Sequence, residues 1–93
     1  MAATVKTGNP IVVTQADTSV KTNPARVNYM EWFPTTTGDD IAITDNGGNT
    51  LWSLKAIAAD SNQGIGYRKD FQCSVNGISV DTIDNGTLYI YFF

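Results

Sequence analysis

The chain reads as an all-β domain: a small antiparallel β-sandwich or barrel of about seven short strands with an extended N-terminal arm. Three observations predict this. Apolar and polar residues alternate at a period of two far more than at helical spacing. The turn dipeptides Asn46-Gly47, Asn76-Gly77 and Asn85-Gly86 punctuate the apolar runs. Charged residues make up only 16% of the chain, against ~25% in an ordinary domain. Thr, Asn and Ser carry the polarity instead, and they suit strands and turns better than exposed helix faces. At 93 residues the chain is one domain with a modest core.

The elements follow in order. Residues 1–24 form a polar arm, interrupted by the apolar run Ile11-Val12-Val13 after Pro10; Gln15 to Pro24 reads as a loop. Residues 25–93 form the β domain. Arg26 to Phe33 alternates, with Val27, Tyr29 and Phe33 opposite Asn28, Met30 and Trp32. Pro34 to Gly38 is a turn, and Asp40 to Thr44 is brief and β-branched. Leu51 to Asp60 admits a helix, because Leu51, Leu54, Lys55 and Ala58 could share a stripe. The turn residues Asp45 to Asn49 before it favour a strand, with Trp52, Leu54 and Ala56 on one face. Asp60 to Gly66 is a polar connection. Tyr67 to Val75 alternates and places Phe71, Cys73 and Val75 together, with Cys73 expected in the core. Ile78 to Val80 and Thr87 to Phe93 complete the set.

One phrase occurs twice, as TDNGGNTLW at 44–52 and IDNGTLYIY at 83–91. A two-residue hairpin turn needs positive φ, which Asn and Gly accept at least cost. Two turns obeying one steric rule would look alike without a duplication. All three Asn-Gly sites therefore read as hairpins. A calcium loop built from Asp39, Asp40, Asp45, Asn46 and Asn49 is the rival. It lacks both the DxDxDG spacing and the closing Glu.

Several function classes are disfavoured. The chain has no His, which removes the commonest general base and metal ligand. Asp39, Asp40, Asp81 and Asp84 could form an acidic dyad, but each lies beside a turn, where Asp is expected for local hydrogen bonding. The GIG at 64–66 lacks the length and lysine of a phosphate loop. No enzyme, cofactor or metal is expected. A net charge of −3 with scattered basic residues argues against nucleic acid and anionic membrane surfaces. No run of ~20 apolar residues predicts a membrane span. The first ten residues do not read as a signal peptide, and the single cysteine suits synthesis in a reducing cytoplasm. The NGT at 85–87 matches a glycosylation sequon that would matter only after secretion.

The informative oddity is apolar. In LYIYFF, Leu88, Ile90 and Phe92 face one way and Tyr89, Tyr91 and Phe93 the other. NYMEWFP behaves similarly. A monomeric antiparallel sheet normally leaves one face polar. The second face must therefore be covered, by loops of the same chain or by a partner. For a partner, the expected contact residues are Trp32, Phe33, Trp52, Tyr89, Tyr91 and Phe93.

The phrases DDIAITDNGGNTLWSLKA and FQCSVNGISVDTIDNGTLYIYF give residues 40–93 a resemblance to small all-β virion structural proteins of tailed bacteriophages. The resemblance implies a capsid decoration or cement protein, present on the virion surface in symmetric copies. Its partners would be further copies of itself, as in a trimer, and the major capsid protein. It implies no catalytic residue. A carbohydrate- or receptor-binding module of a phage tail is the alternative, with exposed aromatic rings stacking on sugar.

Overall fold

The computed structural model describes residues 8–35, 38–56 and 66–93. The arm residues 1–7 and most of the 60–66 connection lie outside them. Six strands form: β1 (Ile11–Val13), β2 (Asp17–Phe33), β3 (Asp40–Thr44), β4 (Thr50–Lys55), β5 (Tyr67–Ile83) and β6 (Thr87–Phe92). All pair antiparallel in one sheet of order β1-β6-β2-β5-β3-β4. The all-β expectation holds. Among the described residues there are six strands rather than about seven, and two of them run for 17 residues.

The difference has two sources. Tyr67–Val75 and Ile78–Val80 are one strand, because Asn76-Gly77 does not turn the chain. Asn76 pairs with Pro24 and Ile78 with Lys21, and Gly77 takes φ +86° inside the strand. The polar stretch 17–24, expected as a loop, is the first part of β2. Its Thr18, Ser19, Thr22 and Asn23 face solvent while Val20 is buried, so only one side chain signals the buried face. Pro24 fits because the ladder is irregular there, between Lys21 and Pro24. The expected boundary at 24/25 thus falls within β2. The Leu51 to Lys55 part of the expected strand forms as β4, with Ala56 buried just beyond it, and residues 57–60 lie outside the described residues.

The two long strands divide the sheet. The second part of β2 pairs with β6 on one side and with Tyr67–Cys73 of β5 on the other. The end of β5 pairs with β3, which pairs with β4. The β2–β5 register shifts near residues 17–24 and again between Val27 and Tyr29. At the second shift β5 carries one extra residue, and Gln72 adopts φ +52°. Such bulges bend strands and increase their twist. The bending lets both parts of the sheet bury their inner faces in one core. That core joins Ile11, Val13, Met30, Trp32, Leu88 and Ile90 to Ile41, Ile43, Ile78 and Val80.

The Asn85-Gly86 site is the second corrected hairpin. β5 and β6 are not neighbours, since β2 lies between them in the sheet. Asp84 to Gly86 therefore carries the chain from one part of the sheet to the other. Asn85 fastens this crossing: its carbonyl accepts from Trp32 Nε1 at 3.2 Å, and its amide donates to Asp39 Oδ1 at 3.1 Å. Of the three Asn-Gly sites, only Asp45–Asn49 closes a hairpin. It links β3 to β4, and the Asp45 N–H donates to the Asn49 carbonyl at 2.9 Å.

Candidate contact surface

Beyond the bulge, β2 turns Met30 and Trp32 inward and Tyr29, Glu31 and Phe33 outward. β6 turns Leu88 and Ile90 inward, with Tyr89 and Tyr91 only half-buried on the outside. Cross-strand pairing places Tyr29 beside Tyr91 and Glu31 beside Tyr89. On the other flank of β2, Tyr29 pairs with Asp70 and Glu31 with Arg68. Val12 of β1 pairs with Tyr89. The result is one outer face with Tyr29, Phe33, Tyr89 and Tyr91 as its aromatic side chains and Glu31, Arg68 and Asp70 as its charged ones.

The rings are organised. Tyr29 and Tyr91 stack at 4.4 Å with their planes 19° apart. Rings lying flat on neighbouring strands could not approach within the ~4.8 Å strand spacing, so this pair stands upright, face to face. The Arg68 guanidinium lies 3.9 Å from the Tyr29 centroid. It comes from β5, the opposite flank, and so covers the second face of that ring. Phe33 meets Tyr89 edge-on at 5.9 Å, and Gly66 lies against the Phe33 ring, where a Cβ would come within 2.6 Å. Arg68 Nε donates to Asp70 Oδ1 at 2.9 Å, and that bond holds the guanidinium pKa above its ordinary value. Burial among its neighbours raises the Tyr91 phenol, and the fields of Tyr29 and Glu31 add to the effect.

The structure separates the six expected contact residues. Phe33, Tyr89 and Tyr91 share this face. Phe93 is 64% exposed at its end, with Arg26 5.0 Å from its ring. Trp52 lies on β4, packed partly against the core. Trp32 is not a contact residue: it is fully buried, because it alternates with Phe33 and must point the other way. Tyr29 and Glu31 share the face with Phe33 by alternation along β2, whereas Arg68 joins it only through strand pairing, which local alternation does not encode. Cys73 is also corrected. It is exposed, although it pairs with Val27 in the same unbroken register that pairs Val75 with Ala25.

The carboxylates mostly serve the fold. Asp45 accepts backbone N–H bonds from Gly47 and Asn49 at 2.9 Å each, and the Asn49 bond lowers its pKa most. Asp81 accepts from Ser79 Oγ at 2.6 Å and Thr44 Oγ1 at 2.7 Å, in that order lowering its pKa. Asp84 accepts from the Asp40 N–H, and Asp40 pairs with Lys55 at 3.0 Å. Among the described residues no three potential ligand side chains gather as a metal site requires. An open depression of about 420 Å3 lies over Ala42, Ser53 and Thr82, flanked by the Asp40–Lys55 pair. Ile41 and Leu54 also line it, so the outer side of β3 and β4 mixes apolar groups with internally paired polar ones such as Asp40–Lys55 and Thr44–Asp81, whereas the β6–β2 side is rich in aromatic rings.

Comparison with known proteins gives no match: no family model fits the chain, and no curated protein or solved structure is similar to it.

Proposed function

We propose that this protein works by protein–protein contact through its aromatic face, as a capsid decoration or cement protein of a phage virion. The observation that carries the reading is the contrast between the two outer sides. On one, the polar side chains are paired with one another, as in Asp40–Lys55 and Thr44–Asp81. The other is an aromatic surface built on strands already packed underneath by Met30, Trp32, Leu88 and Ile90. Aromatic residues and Arg are the groups enriched in interface cores. Burying about 1,000 Å2 of apolar surface contributes roughly 25 kcal/mol gross, most of it offset by the costs of association. A small domain can therefore brace a shell without chemistry. The virion setting and the major capsid protein as partner rest on the resemblance of residues 40–93.

Ring orientation weighs against the tail-module alternative. Sugars stack on exposed ring faces, but both faces of Tyr29 are taken, by Tyr91 and by Arg68.

The test is co-sedimentation with shells assembled from the major capsid protein. Alanine at Tyr91 and Phe93 together is expected to weaken binding by tenfold or more, given the roughly 2 kcal/mol cost of losing a hot-spot side chain. Retention of full binding by a folded double variant would reject this reading.

A further inference from the structure

The aromatic face carries an unfinished charge pattern. Glu31 and Arg68 sit opposite each other on adjacent strands. Arg68 spends only its Nε, on Asp70. Its Nη groups take no partner among the described residues, and its side chain is 52% exposed. Glu31 accepts no hydrogen bond and joins no ion pair among those residues; it reaches Arg68 only through its field. The face thus holds one unspent acceptor and one half-spent planar donor, side by side and in register.

Neighbouring opposite charges are complementary to their own image. A two-fold axis lying in the contact plane, parallel to the strands and midway between β2 and β5, exchanges the two positions. We propose that a second copy of this chain docks there, the Arg68 of each copy meeting the Glu31 of the other. A guanidinium whose Nε is engaged still offers its Nη edge to a carboxylate. The contact is isologous, as in most two-fold dimers. A standard interface takes about 800 Å2 from each partner, roughly a sixth of the 5017 Å2 surface. The inference rests on the contact reading above and adds the occupant.

The test is solution mass by light scattering, with a charge swap. Wild type is expected at twice the 10.1 kDa chain mass. Glu31→Lys and Arg68→Glu each set like charges together in a homodimer, and each is expected to run as a monomer. Mixed in equal amounts they restore two opposite-charge pairs, and dimers should return. Glu31→Gln is the milder variant, expected to raise the dimer dissociation constant roughly tenfold or more. A monomeric or trimeric wild type overturns the proposal. So do dimers that survive either charge reversal, or folded single variants whose mixture stays monomeric. Shell binding is read separately: a monomer that still binds shells sinks the dimer alone, and a dimer that ignores them sinks the decoration reading alone.

Discussion

Gly86 shows how much one residue can carry. It takes φ +89°, and an added Cβ would land on the Phe33 carbonyl. A substituent there meets both backbone strain and rigid main chain. Gly48 has φ +81° but open space around it. Gly86→Ala is expected to cost about 3 kcal/mol in denaturant melts and Gly48→Ala about 1 kcal/mol; equal costs would show that the contact with Phe33 is relieved cheaply. Cys73 makes the second residue-scale point. Its exposure predicts that a thiol reagent labels the native protein without denaturant. A thiol that reacts only on unfolding would place it in the core after all.

At the scale of elements, the bulges decide what faces out. The extra residue on β5 near Gln72 separates the alternation of Tyr67 to Phe71 from that of Cys73 and Val75. The ties between strands matter as much. Asp81 joins β5 to β3 by accepting from Thr44 and from its own neighbour Ser79. Both bonds favour the carboxylate, so the folded pKa lies below the unfolded one. The contribution is therefore present above an unfolded value of ~3.9 and is lost as pH falls through the lower folded value. Asp81→Asn should lower the melting temperature at pH 7. The gap to wild type should close in strong acid, and a gap independent of pH would mean that the ionised state plays no part. The group is exposed, which keeps the effect small.

Across the whole molecule, one core serves both parts of the sheet. Ile90 lies in the β6 part and Ile43 in the β3 part, both fully buried in the same cluster. Ile90→Ala and Ile43→Ala should each cost about 2–5 kcal/mol and shift one shared unfolding transition. Two separated transitions in either variant would mean that the parts fold independently. The central place of β6, between β1 and β2, explains why its outer residues form a platform. Its inner side is already held, so Tyr89 and Tyr91 stand on a supported strand.

Local chemistry alone determined the strand character of most segments, the polar turns, and the glycines with positive φ. Those follow from sterics and periodicity within a few residues. Gly77 and Gly86 adopt positive φ as their Asn-Gly dipeptides implied, whereas in Asn46-Gly47-Gly48 it is Gly48 and not Gly47 that does. The two-sided apolar character of β6 was legible in the same way. Only tertiary structure decided that one such site is a hairpin, one lies inside a strand and one is a crossing. A dihedral angle constrains where the chain can go next, not which strand receives it. The same holds for the contact surface. Tyr29, Glu31 and Arg68 meet Tyr91 and Tyr89 across strands far apart in sequence. Their register is set by the burial of Met30, Trp32, Leu88 and Ile90 on the reverse side, because a slip of one residue would put that entire set in water.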